Sequence, residues 1–207
     1  MNTIQYKIIE SEQNKIIKSK DFNMIFDKST GFTAVWGRTR MIDPEYCTIG
    51  PLIADIEIST ICNLKCAYCY KDNSSVGTNM TFETFKNIFH KFPRSLTQIA
   101  FGIGAIDSNP DIKRIFDYCR NNDYQMIVPN VTINGVNISD EWYDYLAKTC
   151  GAVAVSNHSY FHCINAVKQL TDRGMEQVNI HQVICEETFD ECMLMIDAVK
   201  SEPKLEK

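Results

Sequence analysis

Three cysteines within eight residues, Cys62-Asn63-Leu64-Lys65-Cys66-Ala67-Tyr68-Cys69, form a C-x3-C-x2-C cluster and are the densest chemical signal in the 207-residue chain. Three thiolates this close in sequence can bind three corners of one cubic iron–sulfur cluster by wrapping a short loop around it. The fourth iron then lacks a protein ligand, and an open coordination position is where an exogenous ligand binds. A zinc knuckle would want a fourth ligand at regular spacing, and neither a second C-x2-C pair nor a nearby Cys/His pair is present. Three incidental thiols would crowd one loop with oxidisable groups.

Other candidates follow at the ends of apolar runs. Gly102 and Gly104 would let backbone approach a ligand without a side-chain clash. Asn134-Gly135 and Ser156 close two further runs, with a plain turn and a helix cap as the ordinary readings. Gly102-Ile103-Gly104 lacks the third glycine of a dinucleotide loop, so a Rossmann assignment is weak. His158 and His162 stand four apart, as metal-binding histidines on one helix face would, but no Glu accompanies them as in H-E-x-x-H. A pair at a helix start near the cleft is the favoured reading.

The cysteine loop, with Tyr68 as the aromatic before its last Cys and Asp55-Ile56-Glu57-Ile58-Ser59-Thr60 as the strand before it, resembles the radical S-adenosylmethionine (SAM) superfamily from about residue 54 onward. The resemblance implies a [4Fe–4S] cluster on Cys62, Cys66 and Cys69, whose open iron is chelated by SAM. It further implies reductive cleavage to a 5′-deoxyadenosyl radical that abstracts hydrogen from a substrate, with a flavodoxin- or ferredoxin-like electron donor. It places Tyr68, Gly102, Gly104, Asn134, Ser156 and His181 around SAM. Phe101-Gly102-Ile103-Gly104-Ala105-Ile106-Asp107 aligns with the family's Gly-Gly-Glu segment, which contacts the methionine amine, but Ala105 stands at the acidic position and Ile106 at the usual proline, with Asp107 as a substitute carboxylate. Thr97–Gly104 and Val178–His181 further resemble a radical SAM group of phages and bacteria. No substrate follows from any of this.

Five elements must carry these residues. Strands are expected at Ala54–Ser59, Gln98–Ile103, Met126–Ile133, Ala152–Ser156 and Gln177–Ile184, each followed by a helix. Thr81 caps a first helix that buries Phe82, Phe85, Phe89 and Phe92, and Asn109 caps a second with Pro110 at its first position. Ser139 caps the third, the fourth runs from about Tyr160 to Gly174, and the fifth sets Phe189, Cys192, Met193 and Ile196 on one face. Five strand–helix units with short connections demand parallel strands and right-handed crossovers. The expected fold is therefore α/β, a partial (βα) barrel of residues 51–207 with an open cleft, preceded by an extension over 1–50 in which Phe22–Asp27 and Phe32–Trp36 form a β-hairpin. The family core has six units, so Ser201–Lys207 reads as the connection into a sixth strand that is missing. An uncovered fifth-strand edge would then call for more chain or a partner.

Composition limits the rest. A net charge of −5 without a dense Lys/Arg run disfavours a nucleic-acid surface. No apolar run approaches a membrane span, and the N-terminus lacks a signal-like pattern, so a cytosolic protein is expected. Nine cysteines in a reducing compartment are thiols rather than disulfides: Cys119, Cys150, Cys163, Cys185 and Cys192 read as core filling, and Cys47 is undecided. Among radical enzymes, a peptide- or protein-modifying one and one acting on a nucleotide-derived small molecule both fit. A non-catalytic iron–sulfur protein retaining the fold is the alternative from another class.

Overall fold

The computed structural model describes residues 5–44, 49–69 and 71–201. Cys47 and the 202–207 part of the expected connection, Pro203 included, lie outside the described residues. The described residues form two sheets, with helices packed on one of them. The larger has five strands, β5 (Ile53–Glu57), β6 (Gln98–Gly102), β7 (Val128–Ile133), β8 (Val153–Ser156) and β9 (Val178–His181). All four pairings are parallel and the strands lie in chain order. Helices α1 (Phe82–Phe89), α2 (Ile112–Arg120), α3 (Asp140–Thr149) and α4 (Tyr160–Asp172) connect them, and α5 (Phe189–Ser201) follows β9. Strictly sequential parallel order is that of an arc of (βα) barrel, because a doubly wound sheet reverses direction at a switch point.

The two faces of the sheet divide by composition. Ile99, Phe101, Ile103, Val131, Ile133, Val153 and Val155 are buried in one core with Phe85, Phe89, Ile112, Ile115, Phe116, Leu146, Val167 and Leu170 of the helices. Phe85 and Phe89 are fully buried, worth roughly 2–3 kcal/mol each. Phe82 and Phe92 are only partly buried at the rim of that core. Residues of opposite parity, among them Asp55, Ala100, Gly102, Thr132, Asn134, Ser156 and His181, line the concave face.

Caps account for the helix starts. Thr81 Oγ1 accepts from Thr84 N (3.2 Å) and Ser139 Oγ from Trp142 N (3.4 Å), both as expected. The second helix differs: it begins at Ile112 with Asp111 as its cap residue. Asn109 is buried and drawn across the molecule instead, donating to Ile58 O (2.7 Å) and Met80 O (2.9 Å) while its Oδ1 accepts from Asp111 N (2.9 Å). Pro110 thus belongs to the entry turn. On α5 only Cys192 and Met195 are buried; Phe189, Met193 and Ile196 are exposed, so the expected buried face is not formed.

The expected hairpin is present as β3 (Asn23–Asp27) and β4 (Thr33–Trp36), but two further strands, β1 (Tyr6–Glu10) and β2 (Asn14–Ser19), extend it to a four-stranded antiparallel sheet. This sheet packs under the larger one. Ile17, Phe22, Met24 and Phe26 enclose Val128 at the start of β7. Lys15, fully buried, donates to Leu96 O (2.6 Å), Gln177 Nε2 to Thr30 O (2.7 Å) and Arg120 Nη1 to Lys28 O (3.1 Å). Glu10 gathers the cations: Lys28 at 3.0 Å, Lys15 at 3.6 Å and Arg94 at 3.6 Å. Burial pushes the Lys15 ammonium down to about 8, against the opposing pull of Glu10. Burial also raises the Glu10 carboxyl, but the two lysines outweigh it and hold the group below its usual range. Among the described residues, no helix is long and apolar enough to cross a membrane.

Candidate active site

The loop between β5 and α1 is cross-braced before it turns over the sheet. Ser59 bridges Asn79 and Ile61 bridges Ser74, while Thr60 N donates to Thr78 O (3.0 Å) and Cys62 N to Ser74 O (2.9 Å). Lys65 and Asp72 take positive φ (50° and 51°), turning the chain on either side of Cys66–Cys69. Against the sheet, Ala105 N donates to Ile61 O (3.4 Å), and a side chain at Gly104 would overlap that same carbonyl and meet Cys62 Cβ at 2.5 Å. Gly104 is therefore the notch into which the cysteine loop seats. Gly102 is another notch: a Cβ there would overlap Lys71 Nζ, which reaches over the β6 backbone and pairs with Glu57 Oε1 at 3.7 Å.

Between loop and strand ends lies a cleft of about 330 Å³. It is lined by Cys62, Cys66 and Cys69, and also by Tyr68, Gly102, Gly104, Asn134, Ser156 and His181, so the three expected cluster ligands and the six residues expected around SAM reach one cavity. Asp107 is exposed and does not line it. A larger hollow of about 840 Å³ lies behind β9, among Val167, Met175, Val178, Ile180 and Val199. It contains no thiol or imidazole, so chemistry rather than size singles out the cleft.

Individual placements refine the sequence reading. Asn134 Oδ1 accepts from Val136 N (3.0 Å) and Gly135 has φ +72°, so the Asn-Gly pair does make the ordinary turn while facing the cleft. Ser156 is not a helix cap, since Ser159 holds the position before α4; Ser156 sits opposite His181 in the β8–β9 register. Strand β9 ends at His181, short of the expected Ile184, and Val183 continues the cleft wall as loop. His158 and His162 do not share a helix face. His162 Nδ1 meets Ser159 Oγ (3.1 Å), whereas His158 Nδ1 lies 3.4 Å from Cys66 Sγ and 3.2 Å from Tyr68 Oη, with the two rings stacked at 6.1 Å.

Lys71, Asp55 and Asn157 are wall residues outside the set expected from sequence, and His158, expected only near the cleft, is one as well. For Asp55 a signal exists, since it alternates with Ala54 and Ile56 and period-two alternation puts it on the concave face. Lys71 follows the last cysteine by two residues, and nothing in that spacing announces its reach.

The donor set suits a polynuclear iron–sulfur centre. Burial pushes the Cys66 thiol up, and the neighbouring Cys62 and Cys69 push it further, a mutual repulsion that cationic irons would reverse. By contrast Cys119, Cys150 and Cys163 are buried in the core, away from the cleft that holds the cysteine loop, and burial drives their thiols up; Cys150 rises to about 12 and Cys163 to about 11. Among the described residues, no three or more His, Cys, Asp or Glu gather as for a single metal ion.

A cysteine loop after the first parallel strand, seated over the ends of the next four, defines a class, and sequence comparison agrees with it. The profile of the Radical SAM superfamily matches residues 56–174, more than half of the chain, and the chain belongs to that superfamily. Among solved structures it is similar to native anSMEcpe with bound AdoMet and Cp18Cys peptide (TM-score 0.59, 18% identity, 73% of this chain and 48% of that one). It is similar also to native anSMEcpe with bound AdoMet (0.59, 20%, 73% and 49%) and to the hexahistidine-tagged form with bound AdoMet (0.58, 18%, 73% and 47%). The chain spans about half the length of these structures. No curated protein matches it.

Proposed function

We propose that the chain is a radical SAM enzyme that holds a [4Fe–4S] cluster on Cys62, Cys66 and Cys69 and binds SAM across the strand ends. The observation that carries this is the meeting of all three thiols of one loop with the ends of β6, β7, β8 and β9 in a single cleft. When bound, the cluster supplies the electron that cleaves SAM to a 5′-deoxyadenosyl radical, which takes hydrogen from the substrate. A flavodoxin- or ferredoxin-like donor serves as the external reductant.

The chain's own residues then bind, orient and exclude water. Gly104 fixes the loop on the sheet and so sets the distance between the thiols and the strand ends. Asn134, Ser156 and His181 offer hydrogen-bonding groups along the rim for ribose and carboxylate, and Tyr68 shields the thiols from one side. Asp55, Glu57 and Thr132 make the concave face below the loop polar, which suits a substrate with hydrogen-bonding or cationic groups. The AdoMet and peptide in the anSMEcpe structure support the cofactor assignment and keep a peptide among the substrate classes.

A second reading, a non-catalytic iron–sulfur protein, draws support from Ala105 at the position where the family is acidic. Anaerobic reconstitution separates the two. The enzyme reading expects about four irons and four sulfides per chain, a change in the electron paramagnetic resonance of the reduced cluster on adding SAM, and release of 5′-deoxyadenosine. A cluster that ignores saturating SAM and releases none would establish the second reading, and stoichiometric zinc would sink both.

A further inference from the structure

The contact between Cys66 and His158 joins residues 92 apart in sequence, and neither the cysteine spacing nor a histidine motif requires it. We propose that His158 is a positioning residue for the iron–sulfur centre, donating a hydrogen bond from Nδ1 to Cys66 Sγ and holding the Tyr68 ring beside it. The inference rests on Cys66 being a cluster ligand, as read above. A ligating thiolate carries no proton and can only accept, so with Nδ1 at 3.4 Å the nitrogen must be the donor. Tyr68 Oη, 3.2 Å from the same nitrogen, shares that N–H as a second acceptor.

The imidazole is placed by the scaffold. His158 N donates to Ser156 O (3.0 Å) and Asn157 N to His181 O (2.9 Å), so the residue hangs directly from the ends of β8 and β9. It is partly buried in the cleft wall and stacks on Tyr68 with an interplanar angle of 16°. The arrangement ties the loop that carries the thiols to the strands that would hold SAM. Partners of this kind orient metal ligands and tune the metal, and hydrogen bonds to cluster sulfurs raise the reduction potential. His158 would thus make the centre easier to reduce while fixing where it stands.

The test compares wild type, His158→Asn, which keeps an N–H donor near the Nδ1 position, and His158→Leu, which keeps bulk without a donor. Iron and sulfide are counted first, and a wild type that takes up no cluster would defeat the proposed function itself. With the cluster loaded, His158→Leu should shift the ratio of reduced to oxidised cluster about tenfold at a fixed poise, a midpoint lower by ~59 mV for one electron. His158→Asn should recover most of that shift. Retention of the cluster in His158→Asn with its loss in His158→Leu would support the donor equally. A wild-type midpoint in His158→Leu would overturn the inference while leaving the proposed function standing. Failure of both variants to the same degree would reduce the contact to packing and overturn it too. So would strong nitrogen coupling to the wild-type cluster without SAM that both variants lose, because His158 would then be an iron ligand.

Discussion

Replacing Gly104 by Ala should unseat the cysteine loop, and the glycine two residues earlier supplies the control. A Cβ at residue 104 overlaps Ile61 O and stands 2.5 Å from Cys62 Cβ. Reaching even 3.0 Å requires the loop to withdraw by about 0.5 Å at Cys62 and by more at the Ile61 carbonyl. Both obstacles belong to backbone or to a Cβ, which cannot rotate away, and the loop is tied behind by the Ser74 and Thr78 hydrogen bonds. Overpacking of this kind costs ~1–3 kcal/mol, and with no rotamer to relieve it we expect the upper part of that range. At Gly102 the overlap is with Lys71 Nζ, the end of a flexible side chain, so Gly102→Ala should cost under ~1 kcal/mol. Urea unfolding of the two variants without cluster, followed by iron content after anaerobic reconstitution, reads both effects. Gly104→Ala should be the less stable and should load less iron. Equal stability and equal loading would refute the view that Gly104 is the seat of the loop.

Two further outcomes can be checked. Cys62→Ala, Cys66→Ala or Cys69→Ala should each abolish the iron–sulfur absorbance, whereas Cys119→Ala, deep in the core, should retain it and lose only about 1–2 kcal/mol of stability by denaturant titration; comparable iron loss from Cys119→Ala would mean a misassigned ligand. With Lys15 held at about 8 when folded, the unfolded chain binds more protons between about pH 8 and 10.5, so stability should rise with pH through that window by on the order of 3 kcal/mol. Lys15→Met should flatten the rise in chemical denaturation across that range, and an unchanged slope would remove Lys15 as its source.

The legible parts of the molecule were those in which one local pattern decides the outcome. Thr81 with Phe85 and Phe89 one turn apart specifies α1 by cap and face together, and the β-branched runs from Ile56 to Ile180 can be little but buried parallel strands. The cleft residues were legible because parallel architecture sends strand ends to one side, so Gly102, Asn134, Ser156 and His181 had to arrive near the cysteine loop. What escaped depends on distant neighbours. Asn109 has the type of a cap, but two carbonyls, Ile58 O and Met80 O, compete for its amide and win. Strands β1 and β2 carry Ile8-Ile9 and Ile16-Ile17 as adjacent pairs, apolar on both faces, which blurs the alternation that marks a half-buried strand. Lys15 points inward among them against its usual preference for solvent. On α5 the apolar residues are in helical phase, yet phase alone cannot say whether anything packs on them. For His158 the local cue is His162 four residues on, while its partner, Cys66, lies in a loop 92 residues upstream.

The sheet beneath the barrel arc also sets an order of events during synthesis. Its four strands leave the ribosome before the barrel arc, but the Leu96 carbonyl that receives the Lys15 ammonium lies 81 residues later, and the Gln177 amide that reaches Thr30 lies 147 residues later. At the usual 5–20 residues per second, Lys15 waits about 4–16 s for its acceptor. During that interval its charge can be solvated only if the sheet's inner face, with Ile17, Met24 and Phe26, stays open to water as well. The sheet is therefore made before the arc it packs against yet settles only after it, and in between its apolar face stands exposed in the way that chaperones recognise.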